Sequence, residues 1–209
     1  MRLTSFLLLA ALAAVPAALD GQGPPSGWRV VLDGGQPLDS TVQFQIMAPG
    51  WHLTMGPGGV VYHPRYTAAG RFSVEAEMFL FPGASDAGYG LFLGGTAVED
   101  GQPAFVGFVL RRDGSAAVIR TDESGETVYA PWRRHDPIAP GGEEPVRNVL
   151  RVDAGRDSVH FRVNDSLVAT VARNEVPVDG AFGFRIGQGI NLHASSLSLS
   201  THLAEPGRR

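Results

Sequence analysis

From Trp28 onward the chain is a succession of short apolar runs broken by Gly, Pro, Asp and Asn, and it carries no helical stripe of useful length. The clearest run is RFSVEAEMFL. Phe72, Val74, Ala76, Met78 and Leu80 fall on one side, and Ser73, Glu75, Glu77 and Phe79 fall on the other. That is the two-residue period of an antiparallel strand with one face in a core and one in water. The same reading places strands over 28–32, 42–47, 52–54, 60–62, 71–81, 89–93, 104–111, 116–121, 127–130, 148–152, 159–163, 167–171, 181–186 and 196–200. The expected class is therefore all-β.

Turn chemistry supports the pattern. Arg112-Asp113-Gly114 and Asp179-Gly180 each offer a glycine able to take positive φ. Asn164-Asp165 has the two-residue spacing of a primed hairpin turn between SVHFRV and SLVATV, which would set Phe161 opposite Val168 and Val159 opposite Thr170. In the last strand Leu192 and Ala194 occupy one phase and Leu197 and Leu199 the other, so a bulge or break is expected near Ser195-Ser196. Residues 133–146, rich in Pro, Gly and charge, read as a loop.

Composition adds location and excludes partners. MRLTSFLLLAALAAVPAALDGQ has one Arg, an apolar run and small residues at Ala17 and Ala18, the pattern of a secretory leader over residues 1–18. The expected organisation continues with a linker over 19–27, a single domain over 28–202 and a mobile tail over 203–209. No later segment approaches the roughly 20 apolar residues that cross a bilayer as a helix, so an exported, periplasmic or extracellular chain without membrane insertion is expected. Without cysteine, neither disulfides nor a lipid-bearing cysteine can hold it. All 17 basic residues are arginine against 21 acidic ones, a bacterial-looking usage, and no basic block marks a nucleic-acid face.

The order FSVEAEM, DAGYGLFLGG, FVGFVLRRDG, Trp132, NVLRVDAGRDSVHFRVNDSLVATV, GAFGFRI and LSLS resembles the concanavalin A-like jelly-roll domains of the 3-keto-disaccharide hydrolase-like group and related laminin-G-like modules. The resemblance covers most of residues 71–200 and implies a two-sheet antiparallel sandwich with a glycan-related role. One departure is Asp165, where the group usually has Gly after the hairpin Asn.

Candidate chemistry starts at Glu75 and Glu77, which share a strand face about 6.5–7 Å apart by strand rise. Two carboxylates at such spacing could flank a glycosidic bond, although the glucanase-like run Glu-x-Asp-x-x-Glu lacks its last carboxylate here. The six histidines show no ligand spacing, so no metal site is expected; Asp86 and Glu99-Asp100 are the candidate calcium loops. Asn164-Asp165-Ser166 matches a glycosylation sequon, a match set against the hairpin-turn role of Asn164. Phe79, Phe92, Trp51 and Trp132 are candidate sugar-stacking rings or, alternatively, core caps.

The sequence thus leads to an exported, non-catalytic module binding a glycan or cell-envelope polymer on a concave sheet displaying Glu75, Glu77, Phe92 and Arg111, with Trp132 nearby and no cofactor. Hydrolysis of a glycoside or 3-keto-disaccharide on that face is the enzyme alternative. A structural role in an extracellular assembly, through sheet edges, is a third.

Overall fold

In a computed structural model describing residues 23–100 and 103–201, the alternation of FSVEAEMFL becomes strict alternation of burial, with Phe72, Val74, Ala76, Met78 and Leu80 wholly inside. The expected leader over 1–18, the tail over 203–209 and His202 lie outside the described residues. The strands are β1 (Arg29–Leu32), β2 (Val42–Ile46), β3 (Trp51–Met55), β4 (Gly59–Ala68), β5 (Phe72–Leu80), β6 (Tyr89–Thr96) and β7 (Ala104–Leu110). They continue as β8 (Ser115–Asp122), β9 (Gly125–Arg134), β10 (Val146–Ala154), β11 (Ser158–Val163), β12 (Ser166–Ala172), β13 (Gly180–Ile186) and β14 (Ile190–Thr201). Among the described residues there is no α-helix, only short 3₁₀ turns at Asp33–Gly35 and Val98–Asp100.

All pairings are antiparallel and make two seven-stranded sheets. The first runs β1-β4-β13-β6-β7-β8-β9 and the second β12-β11-β10-β5-β14-β3-β2. Between them lies one core, in which Leu91, Val106, Phe108 and Phe184 of the first sheet meet Met78, Leu150, Val152 and Phe161 of the second. The Phe108 and Phe161 rings touch edge to face at 5.3 Å between centroids. The expected two-sheet sandwich is what the chain forms.

The Asn164-Asp165 turn has φ of 48° and 66°, the positive pair that a primed two-residue hairpin requires. Its register differs from the expectation: Phe161 pairs with Ala169 and Val159 with Val171, because the ladder slips between Phe161 and Arg162. A one-residue bulge moves every later partner by one. The slip expected near Ser195-Ser196 is present, between Ala194 and Ser196 against β5.

Asn164 also anchors the 135–146 connection. Its Nδ2 donates to the Pro137 carbonyl at 2.7 Å and to Asn148 Oδ1 at 3.0 Å, while its Oδ1 accepts the Val149 amide at 2.9 Å. Asn148, fully buried, exchanges hydrogen bonds with the Ala139 backbone and donates to the Tyr89 hydroxyl. Burial pushes that phenol up to about 12, against the smaller pull of Asn148. The sequon nitrogen is thus already spent on structure, and a glycan there would orphan these partners.

Candidate functional site

The two outer faces divide the residues that the sequence reading had put on one surface. Glu75 and Glu77 point outward from β5, in the second sheet, whereas Phe92, Arg111 and Trp132 belong to the first. The expectation of one face carrying Glu75, Glu77, Phe92 and Arg111 is therefore corrected: alternation fixes inside against outside, but two sheets have two outsides.

On the second sheet the carboxylates are largely neutralised. Glu77 Oε2 accepts from Arg147 Nε at 2.6 Å and sits 2.5 Å from its Nη2. Glu75 lies between Arg151 and Ser198 of the flanking strands. Asp153 takes the Ser73 hydroxyl at 2.7 Å, Arg151 at 3.2 Å and Arg162 at 3.1 Å. Burial alone would raise the Asp153 pKa, but the Ser73 hydrogen bond and the two arginines outweigh it and hold the group below the usual carboxylate range. His52 and His193 stand opposite each other on β3 and β14, and His193 Nε2 lies 2.9 Å from the Pro49 carbonyl, fixing its tautomer as the donor. Phe79 packs beside His193. Trp51 meets Trp28 at 4.7 Å and Phe184 at 5.4 Å, capping the core at one end.

The first sheet has a different outer face. Phe92 is wholly buried there, covered with Tyr62 and Phe105 by Val98 of the 3₁₀ turn. This corrects its expected role as an exposed platform: an outward-facing position is not a free one when the chain folds back over it. Arg29 and Glu99, 3.0 Å apart, pin that turn to β1, so Glu99, one of the candidate calcium residues, is engaged by a guanidinium. Among the described residues no group of three or more His, Asp or Glu is arranged to hold a metal ion.

Beside this small cluster the sheet is hollow. A cavity of about 260 Å³ is lined by Gly88, Gly107, Arg111, Trp132, Arg185 and Gln188, among others. It shares Phe105, Thr121, Glu126 and Arg185 with a second hollow of about 750 Å³ that reaches Asp33, Asp100 and Glu123, so the two form one groove. The groove follows β7 and the residue after it, from Phe105 to Arg111, roughly 20 Å by strand rise. Missing side chains give it depth. A methyl group built on Gly107 would meet nothing nearer than 3.6 Å, and one on Gly88 would meet the Trp132 ring at 3.2 Å.

Where β9 slips against β8, between Ala116 and Val118, Pro131 and Trp132 lie between the paired Ala130 and Arg133, and Pro131 has no N–H for the ladder. The Arg111 guanidinium lies on the Trp132 ring, 3.8 Å from the centroid. The Nε–H of Arg111 is buried and has no acceptor among the described residues. Further along, Arg185 forks onto Asp33 with Nη1–Oδ1 of 2.9 Å and Nη2–Oδ2 of 2.8 Å. The arrangement offers an aromatic ring, a stacked donor with spare capacity, and carboxylates along one open channel. Sequence reasoning named Arg111 and Trp132, which the structure brings together, and did not name Phe105, Glu126 or the Arg185–Asp33 fork, whose members are 152 residues apart.

Neither a family model nor a curated protein sequence matches the chain. Solved structures do match. The carbohydrate binding module CBM66 from Bacillus subtilis superposes with a TM-score of 0.61 at 12% identity, covering 84% of this chain and 96% of that one. The potassium-bound carbohydrate recognition domain of Emp46p gives 0.57 at 12% identity over 86% and 90%. The chain is a concanavalin A-like jelly-roll sandwich. A third match, Bacteroides ovatus xyloglucan PUL GH43B, gives 0.57 at 14% identity, covering 88% of this chain but only 38% of that one. At such identities the likeness speaks for the sandwich alone.

Proposed function

We propose that the sandwich is an exported, non-catalytic module that binds a glycan or other polymer of the cell envelope along the groove of its first sheet. The observation that carries this reading is the pairing of Trp132 with Arg111 at the head of an open channel, where an aromatic ring and a guanidinium group lie together. Sugars present C–H faces to aromatic rings and hydroxyl oxygens to donors, and such channels bind by a few well-placed polar groups. Solved structures of this fold that bear carbohydrate-binding names add support. The leader-like residues 1–18 support export, and the order of elements from FSVEAEM to LSLS supports a place near the 3-keto-disaccharide hydrolase-like group.

Catalysis at Glu75 and Glu77 loses its appeal in this reading. A general acid must hold or release a proton, and Glu77 is tied to Arg147 instead. The test is a glycan array with the mature protein, with and without calcium, followed by calorimetry on any hit. Trp132→Ala should weaken binding by about thirtyfold or more, as loss of a central aromatic contact does. An array without any hit, or a hit indifferent to both Trp132→Ala and Arg111→Ala, would overturn the proposal.

A further inference from the structure

We infer that the groove discriminates by charge, rejecting polyanionic glycans, so that its ligand is a neutral polysaccharide. The inference rests on the glycan-binding reading and narrows it, since many envelope polymers carry uronate, phosphate or sulfate groups at every repeat. Five carboxylates line the joined hollows, against the guanidinium groups of Arg111 and Arg185. Asp33 is neutralised by Arg185, and Asp122 lies 2.8 Å from Arg120. Asp100, Glu123 and Glu126 are exposed and have no ion-pair partner among the described residues. Asp100 and Glu123 stand in the hollow away from Trp132, and Glu126 lines both hollows. Arg111, which makes no ion pair among the described residues, lies against Trp132 in the other hollow.

The arrangement acts as a filter because a polyanion must carry charge along its whole length. A single carboxylate could settle on Arg111, but a chain lying along the groove would press its next charges against Asp100, Glu123 and Glu126. Discrimination of this kind comes from repulsion of the wrong ligand more than from attraction of the right one. Neutral hydroxyls suffer no such penalty. They find acceptors in the same carboxylates and donors in Arg111, Thr121 and Gln188.

Calorimetry on matched pairs tests the filter: cellohexaose with its C6-oxidised hexauronate, and fully methyl-esterified hexagalacturonate with the free acid. In at least one pair the neutral member should bind the protein about tenfold or more tightly than its anionic twin, and the gap should shrink between about 20 mM and about 500 mM NaCl. The triple substitution Asp100→Asn, Glu123→Gln, Glu126→Gln should narrow the neutral-to-anionic ratio by about threefold or more at low salt, with a melting curve confirming the fold. Equal or tighter binding of the anionic twin, or a ratio unmoved by the triple substitution, would overturn the filter while leaving glycan binding intact. If no member of either pair binds and an array also yields nothing, it is the glycan-binding reading that fails, and the filter with it.

Discussion

The two outer faces of this sandwich are built by the same alternation, yet one is laced with ion pairs and the other is hollow and open. On the second sheet two of the three outward acids of β5 and β10 have guanidinium partners: Glu77 with Arg147, and Asp153 with Arg151 and Arg162. On the first sheet the outward places are taken by glycines and rings, from Gly107 to Trp132, and the recess lies where side chains are missing. A row of charges on a strand looks chemical in the sequence, but charges that pair across strands produce a satisfied surface. Cavities come from absences, which attract less notice.

The largest expected effect is structural and concerns what covers the first sheet. Phe92→Ala should cost about 3 kcal/mol or more in urea melts, as truncation of a fully buried ring does, because Val98, Tyr62 and Phe105 close over it. A cost below about 1 kcal/mol would mean that the turn at Val98–Asp100 stands open in solution and that Phe92 belongs to the accessible face after all.

Next in size is the effect of filling the groove. Gly107→Val places a β-branched residue on a strand where space is available, so the fold should tolerate it while glycan affinity falls by about tenfold or more. Retained affinity in a folded Gly107→Val protein would move the site elsewhere.

Acid should then act on the second sheet, which carries both His52 and Asp153. Burial, reinforced by the neighbouring charge of His193 and opposed by Asn191, holds the His52 pKa below the ordinary value of about 6.5. The unfolded chain therefore takes up a proton first as pH falls. Stability from this group is full above pH ~6.5 and declines as pH drops through the folded-state value. Asp153, with its pKa lowered, contributes fully above its ordinary value of about 3.9 and loses that contribution as pH falls through its own folded-state value. Melts of His52→Gln should be flatter as pH falls below ~6.5 than those of wild type, and Asp153→Asn should remove part of the steeper loss below pH ~4. Parallel curves for wild type and both variants would contradict the assignment.

The smallest effect is expected at the carboxylates that the sequence made most conspicuous. Glu77→Gln disturbs a partly exposed ion pair and should change stability by less than about 1 kcal/mol. Glycan affinity should not move. A tenfold loss on this substitution would give the second sheet the functional role.

Much of this was legible. Strand β5 lies between β10 and β14 with one face sealed, so its alternation was unambiguous, and the phase switch in β14 announced its bulge. The bulge that shifts Phe161 onto Ala169 left no such mark, because Leu167, Ala169 and Val171 keep an unbroken apolar period in the sequence although Leu167 is exposed in the fold. Nor could the chain pattern say which sheet an outward residue would join. Phe92 and Glu77 are both outward by period, and only the folded topology separates them. The Arg185–Asp33 fork closes across most of the chain's length, and no local signal anticipates it.

The central claim, that ligand lies on the first sheet, is tested most directly by backbone and indole NMR shifts recorded while a neutral hexasaccharide selected on the array is titrated in. The account predicts perturbations at Gly88, Gly107, Arg111, Thr121 and the Trp132 indole, all lining the groove, with Glu75, Glu77, Arg151 and Ser198 unmoved. Shifts centred on β5 and β14, with the Trp132 indole silent, would contradict it.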